Sequence, residues 1–329
     1  MINYLATQKN WQNAFSDIIT DFGELAELLA LNPQDFDQQY GSFPLKVPRG
    51  FVQKMQKGDI NDPLLRQVLP TFAETVQVTG FVTDPLEENT SNPVKGVIHK
   101  YASRVLLPVT GACMVHCRYC FRQHFDYHEN LPSGEDWQTI RDYIQADSRI
   151  NEVILSGGDP LSLSDRRLSD IFAKIEAIPQ IQTIRLHTRV PVVIAERLDT
   201  ILLERLQASR CKIVMVIHVN HPNEIDEATA FYLNRARLAG ITMLNQTVLL
   251  KGINDDADIL AKLSDRLWQA GVLPYYLHVL DKVAGASHFL LEDEQAVAIH
   301  RQLLAKCAGY LVPKLVREMP QVAYKMPIQ

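Results

Sequence analysis

The feature that most constrains the fold is a series of short, nearly continuous apolar runs between residues 104 and 316. The runs are 104–110, 152–157, 183–188, 212–219, 242–250, 273–280 and a weaker one at 310–316. Several are spaced by roughly thirty residues, which is the length of a strand followed by a helix. Amphipathic segments lie between them, for example 168–178 and 224–238. Apolar strands that alternate with helices indicate a parallel sheet covered by helices.

Six or seven such units favour an α/β fold built as a partial or complete (β/α) barrel over an open sheet. In such a barrel, functional side chains follow the C-terminal ends of the strands. Residues 1 to about 95 lack strand-like runs, and their segments 10–31 and 62–75 carry apolar residues three and four apart. We therefore predict a helical N-terminal extension over residues 1–95 and the barrel, with a C-terminal segment, over residues 96–329.

Composition narrows the class of protein. The chain has 329 residues and a formal net charge of −5, which argues against non-specific binding of nucleic acid. No apolar run approaches the length that spans a membrane. Acidic residues such as Asp17 and Asp21 near the start argue against a secretory or transit peptide. We therefore expect a cytoplasmic protein without a direct nucleic-acid or membrane partner.

Three cysteines, Cys113, Cys117 and Cys120, form a C-x3-C-x2-C triad after the first apolar run. An odd total of five cysteines, with three of them in eight residues, is a poor disulfide framework. Three thiolates can ligate three irons of a [4Fe–4S] cluster and leave the fourth iron open to another ligand. The alternative is a zinc site completed by His116 or His124, although structural zinc usually takes its ligands from two separated pairs.

The cysteine triad resembles the CxxxCxΦC signature of the radical SAM superfamily, with Tyr119 as its aromatic residue. After the second apolar run, Ser156-Gly157-Gly158-Asp159 resembles the superfamily's glycine-rich motif, which meets the amino group of S-adenosylmethionine (SAM). Taken by itself, this stretch would be an ordinary strand-to-helix turn with Asp159 near a helix N-cap. The resemblance implies a [4Fe–4S] cluster and SAM as cofactors, together with an electron donor that the sequence does not identify.

Further stretches resemble the lysine 2,3-aminomutase family and follow its order from about residue 95 to the end. They are 99–107, 117–123, 156–161, 187–193, 218–224, 245–255 and 275–289. The resemblance is greatest to the short bacterial branch whose β-lysine is attached to elongation factor P by a modifying ligase. It implies an isomerase that converts L-lysine to β-lysine by 2,3-amino migration and uses pyridoxal 5′-phosphate (PLP). The alternatives are an arginine or glutamate 2,3-aminomutase and a PLP-independent radical SAM maturase.

The family resemblance also implies which residues hold PLP. Lys325 takes the place of the family lysine that binds PLP as a Schiff base, and Lys314 is the alternative. The glycine-rich approach to this lysine that is usual in the family is missing here. Lys100 and Tyr101 match the basic–tyrosine pair at the PLP phosphate, whereas Arg104 could equally be an ordinary residue at the start of a strand.

Substrate recognition is implied in the same way. Arg122 matches the arginine that pairs with the substrate carboxylate, and Asp281 and Glu318 match the two acids that bind its ε-ammonium, with Glu318 in place of aspartate. Because buried carboxylates are costly without a cation, this pair predicts a cationic substrate, a requirement that arginine would also meet. His218 and Gln246 end two middle strands, in the region that the resemblance places near SAM and PLP.

Overall fold

The computed structural model describes residues 11–35 and 43–329 of the chain. Within these ranges the strands are β1 (Ile18–Ile19), β2 (Val47–Pro48), β3 (Ile98–Tyr101), β4 (Arg104–Thr110), β5 (Glu152–Gly157), β6 (Thr183–Thr188), β7 (Lys212–His218), β8 (Thr242–Val248), β9 (Leu273–His278), β10 (Lys314–Arg317) and β11 (Met326–Pro327). The α-helices are α1 (Trp11–Ser16), α2 (Phe22–Leu29), α3 (Arg49–Val52), α4 (Tyr127–Asn130), α5 (Asp136–Ala146), α6 (Asp165–Glu176), α7 (Val190–Val193), α8 (Thr200–Gln207), α9 (Glu227–Leu238), α10 (Ala257–Gln269) and α11 (Asp293–Lys306).

A single nine-stranded sheet organises the described chain, with β3 to β11 side by side in chain order. Strands β4 to β10 pair in parallel, and β3 and β11 pair antiparallel at the two edges. The predicted strands at 104–110, 152–157 and 183–188 have the bounds observed for β4, β5 and β6. The α/β prediction is confirmed.

The two ends of the sheet approach each other. Lys100 on β3 lies with its Nζ 3.3 Å from a carboxylate oxygen of Glu318, which directly follows β10. Among the described residues, the hydrogen-bonded ladder does not join β3 to β11. The sheet thus curves back on itself as a partial barrel, and an ion pair rather than a strand pairing bridges its two ends.

The alternation of side chains along the strands decides what faces the barrel interior. On β6, Ile184 and Leu186 are buried in the core, whereas Arg185 and His187 line the interior cavity. The helices cover the outer face through apolar stripes. On α6, for example, the buried residues are Leu168, Ile171, Phe172 and Ile175, at the spacing that places them on one helix face. The polar residues of the strands, such as Arg185 and His187, therefore face the barrel interior.

The segment before β3 contains short elements. It holds α1, α2 and α3, the small β1–β2 sheet and several 310 turns. The stretch 62–75, where the sequence favours a helix, forms only 310 turns, since Pro63 and Pro70 interrupt it. Buried Leu25 and Phe51 join the same core cluster as the barrel. Residues 1–10 and 36–42 of the predicted extension lie outside the described residues, and the division at residue 95 stays a prediction. No described helix has the length and apolarity needed to cross a membrane.

Candidate active site

The curved sheet encloses a cavity of about 1700 Å³, counting the space open to solvent. Side chains from β3 to β9, from the loop after β4 and from the stretch between β10 and β11 line it. The structure brings all the site residues predicted from sequence to this one cavity: Lys100, Tyr101, Cys113, Cys117, Cys120, Arg122, Ser156, Gly157, Gly158, Asp159, His218, Gln246, Asp281, Glu318 and Lys325.

The predicted cluster ligands lie on the loop that follows β4. Cys113, Cys117 and Cys120 are free thiols, each partly exposed towards the cavity. Burial raises the pKa of Cys113 and raises that of Cys120 to about 12, which favours the protonated form of these two thiols. Among the described residues, no three His, Cys, Asp or Glu side chains converge on one metal ion. A four-iron cluster takes each thiolate at a different iron, so the triad fits such a cluster.

The two histidines of the zinc alternative face other partners. His116 lies with its Nδ1 2.8 Å from the carbonyl oxygen of Pro44, and its ring stacks on Phe43. His124 lies with its Nε2 3.2 Å from the carbonyl oxygen of Ala284. Neither histidine is among the residues that line the cavity. The arrangement does not favour either ring as a fourth ligand beside the triad.

The glycine turn after β5 packs directly against the cysteine loop. The amide of Gly158 donates to the carbonyl oxygen of Thr110 at 2.6 Å, and the amide of Asp159 donates to that of Ala112 at 2.8 Å. A Cβ on Gly157 would lie 2.4 Å from the oxygen of Thr110, and one on Gly158 would lie 2.4 Å from that of Ala112. This close backbone contact therefore requires glycine at both positions, and it fixes the start of the cysteine loop beside the turn.

Asp159 connects the ends of β5 and β6. Its carboxylate accepts hydrogen bonds from the amides of Leu161, Arg189 and Val190 and from the hydroxyl of Thr188, at 2.6–3.2 Å. Burial raises the pKa of Asp159 to about 6, although these hydrogen bonds act in the opposite direction. The contact with Leu161 is the N-cap interaction expected of an ordinary turn. A role of Asp159 towards SAM stays a prediction.

Arg122, the predicted carboxylate ligand, already has a partner. Its Nε and Nη2 donate to the two carboxylate oxygens of Glu88 at 2.6 and 2.9 Å, and its Nη1 donates to the hydroxyl of Ser156 at 2.9 Å. Glu88 also lies 3.3 Å from the ammonium of Lys100, which is itself 3.3 Å from Glu318. Sequence reasoning did not single out Glu88, because an isolated acid in a loop carries no pattern. The ion pairs thus form a chain across the cavity.

The acidic end of the cavity centres on Glu318. Its carboxylate accepts from the ammonium groups of Lys325 and Lys100 and from the hydroxyl of Tyr101. Burial alone would raise the pKa of Glu318, but Lys325 and Lys100 outweigh it and lower that pKa to about 2. Burial and the charge of Glu318 raise the pKa of Asp281 to about 7. The pair therefore holds one firmly ionised carboxylate and one that is half-protonated near neutral pH.

Lys325 is placed by the hairpin between β10 and β11. It directly precedes β11, and its Nζ lies 5.7 Å from the ring centroid of Tyr276. Lys314, the alternative, is exposed on β10 and is not among the residues that line the cavity. Arg104 stacks its guanidinium over the ring of Tyr101 at 4.3 Å and also lines the cavity. The geometry favours Lys325 over Lys314 as the lysine that reaches a cofactor.

Three histidines face the middle of the cavity. His218 lies with its Nε2 2.9 Å from the side-chain nitrogen of Gln246. Burial, followed by the charges of Arg189 and Arg122, lowers the pKa of His218 to about 3, so the ring is neutral. The Nε2 atoms of His187 and His278 are buried and have no hydrogen-bond partner among the described residues. Buried polar atoms of this kind normally have partners, so the cavity fits a polar ligand.

The chain is similar to known proteins over almost its whole length. Residues 107–263 match the family described as Radical SAM superfamily. The chain is 48% identical over 315 residues to the L-lysine 2,3-aminomutase of Haemophilus influenzae, covering 95% of this chain and 93% of that protein. It is 46% identical over 326 residues to that of Escherichia coli, covering 98% and 95%. It is 31% identical over 328 residues to that of Clostridium subterminale, covering 98% and 78%.

Proposed function

Because the chain belongs to the lysine 2,3-aminomutase family of radical SAM enzymes, we propose that it converts L-lysine to β-lysine by 2,3-amino migration. Enzymes of this family are isomerases that use a [4Fe–4S] cluster, SAM and PLP. The observation that carries the proposal is the shared cavity. It places three thiols, a lysine beside two carboxylates, and a buried arginine around one space.

In this proposal, different residues of the cavity would hold the two cofactor systems. When bound, the cluster with SAM supplies a carbon-centred radical initiator, and PLP supplies conjugation to the amino group that migrates. Cys113, Cys117 and Cys120, on the loop after β4, would hold the cluster. Lys325 would hold PLP, and Lys100 and Tyr101 on β3 would bind its phosphate. The protein's own task is to keep these groups and the substrate in one orientation.

Substrate selection follows from the charges at the cavity's two ends. Arg122 can donate to a carboxylate in a bidentate contact. Asp281 and Glu318 can accept from the ε-ammonium, and its positive charge favours the ionised form of Asp281, whose pKa is raised by burial and by Glu318. A substrate with a carboxylate at the far end, such as glutamate, would add a third negative charge beside Glu318 and Asp281. A cationic amino acid therefore fits the cavity.

The finer assignments rest on the resemblance to the short bacterial branch. The product passes to the ligase that attaches β-lysine to elongation factor P, and a separate reductant supplies the electron. The protein works in the cytoplasm. Residues 1–95 form an extension that accompanies the barrel of residues 96–329.

The decisive test is anaerobic purification with iron, sulfide and PLP quantified, followed by incubation with SAM, a reductant and one amino acid. We expect β-lysine from L-lysine and no β-amino acid from arginine or glutamate. The C113A variant should lose iron, sulfide and turnover together. A preparation that holds the cluster and PLP yet leaves lysine unchanged would refute the proposed function.

A further inference from the structure

Glu88 is a buried carboxylate contributed by the segment before the barrel. Only 3% of its surface is exposed. Asp84 fixes its backbone by accepting from the amides of Glu88 and Asn89 at 3.0 and 3.2 Å. The preceding Glu87 has the left-handed φ of 48°, which directs the two neighbouring glutamates differently. Glu87 is exposed, and Glu88 lines the cavity.

The contact between Glu88 and Arg122 determines which edge of the guanidinium remains free. A guanidinium has five N–H donors in a fixed plane. Glu88 accepts two of them, from Nε and Nη2, and Ser156 accepts one from Nη1. Two donors remain on the terminal nitrogens, which is the number needed for one bidentate carboxylate contact. Glu88 therefore occupies one edge of Arg122 and leaves a second contact available.

Lys100 links this pair to the opposite end of the cavity. Its ammonium lies 3.3 Å from Glu88 and 3.3 Å from Glu318, so it is shared between the two carboxylates. Burial acts to raise the pKa of Glu88, but Arg122 and Lys100 outweigh it, and Glu88 stays ionised. Without the charge at Glu88, Glu318 would be the remaining carboxylate beside Lys100, and the ammonium would be drawn towards it. The charge of Glu88 thus keeps both cations in their observed places.

We propose that Glu88 is a positioning residue for the substrate: it orients Arg122 so that the remaining edge of the guanidinium receives the carboxylate of the bound amino acid. This inference rests on the proposed function for the identity of the substrate. It assigns to the segment before the barrel a direct share in building the substrate site. The competing arrangement is that Glu88 merely occupies Arg122 until the substrate carboxylate displaces it.

Equilibrium binding separates the two arrangements. The holoenzyme, with cluster and PLP but without reductant, is titrated with L-lysine and with 1,5-diaminopentane, which lacks the carboxylate, while the PLP absorbance is followed. In E88Q the amide can accept only one of the two guanidinium donors, so Arg122 loses its orientation. We expect lysine binding to weaken by about tenfold or more, as for loss of a hydrogen bond to a charged group. Binding of 1,5-diaminopentane should weaken less, because it loses no contact with Arg122 and is affected only by the changed position of Lys100 beside Glu318.

Two further variants complete the test. E87Q makes the same chemical change at the adjacent exposed position and should bind both ligands as the unmodified protein does. E88D keeps the charge and should recover part of the lysine affinity, with KM affected more than kcat in turnover assays. Tighter lysine binding in E88Q would overturn the inference in favour of displacement. Equal losses for both ligands would overturn it in favour of a general structural role, and unchanged lysine binding would also reject it.

The outcome is independent of turnover. An unmodified enzyme that binds lysine without converting it would refute the proposed function and leave the role of Glu88 to be decided by the binding data. Conversely, β-lysine formation by the unmodified enzyme, combined with normal lysine binding in E88Q, would leave the function standing and reject the role of Glu88.

Discussion

Lys325 and Glu318 form an ion pair across the turn that joins β10 to β11. Glu318 is also held by Lys100, at 3.3 Å, on the first strand of the sheet. The last and first strands of the partial barrel thus share one carboxylate. Any ligand that draws Lys325 or Lys100 away must leave Glu318 another cation, because an unpaired buried carboxylate is costly. The ε-ammonium of a bound lysine meets that need.

The first prediction concerns the lysine that holds PLP. K325A should lose the PLP absorbance while retaining iron, sulfide and reductive cleavage of SAM, since the cysteines lie on the loop after β4. K314A removes an exposed lysine from the neighbouring strand and should keep its PLP. The measurements are the absorbance spectrum and metal content of the purified variants. Retention of PLP absorbance in K325A would disprove the assignment.

The second prediction concerns pH. Burial and the charge of Glu318 raise the pKa of Asp281 to about 7, and a cation binds the ionised form. Affinity should therefore be highest above pH 7 and fall by up to about tenfold for each unit below it, because Asp281 must first lose a proton. The ligand 6-aminohexanoate has the carboxylate and the ammonium but no α-amine, so neither titration of an α-amine nor its imine with PLP contributes to the measured pH profile.

The control for the pH prediction is D281N, which has no proton to lose. Its affinity for 6-aminohexanoate should be weaker and nearly constant between pH 6 and about 8. E318Q removes one cause of the raised pKa of Asp281, so the pH profile should move to lower pH. A profile in the unmodified protein that is flat over this range would contradict the assignment of Asp281.

Much of the sheet could be predicted from sequence because its longer strands are short apolar runs bounded by turn residues. The runs that became β4, β5 and β6 end where Gly or Thr residues end the apolar pattern. Strands β1, β2 and β11 are only two residues long and have no periodicity to detect. The stretch 62–75 has the apolar spacing of a helix, but its two prolines prevent a continuous helix.

The same distinction applies to the site: some of its residues can be found from local sequence, and others only from the folded structure. Fixed spacing picks out the cysteine triad, and the family resemblance points to Lys325, which directly precedes β11. Glu88 and Arg122 are 34 residues apart, and their contact depends on how the segment before the barrel packs against the cysteine loop. His278 could have been found by period-two alternation, since it shares a face of β9 with Tyr276, and both line the cavity. Glu88 has no such signal.

The third prediction concerns the glycine turn. In G158A, the new Cβ would lie 2.4 Å from the carbonyl oxygen of Ala112, so the start of the cysteine loop must move. We expect lower iron and sulfide content and a loss of about 1–3 kcal/mol in the free energy of unfolding, as for overpacking elsewhere. G134A is the matched control, because nothing lies within 4 Å of its Cβ position. Normal iron content in G158A would show that the loop does not depend on this contact.

The last prediction concerns Arg189, which donates from Nη1 to the sulfur of Cys117 at 2.8 Å. Hydrogen bonds and positive charge at a ligating sulfur favour the reduced state of an iron–sulfur cluster. R189Q should therefore make the reduction potential of the cluster more negative, as measured by a redox titration followed by electron paramagnetic resonance. R197Q removes another fully buried arginine, one that binds the carbonyl oxygens of Leu161 and Leu163 instead of a cysteine. If both variants shift the potential equally, the effect comes from general destabilisation and the assigned role of Arg189 is wrong.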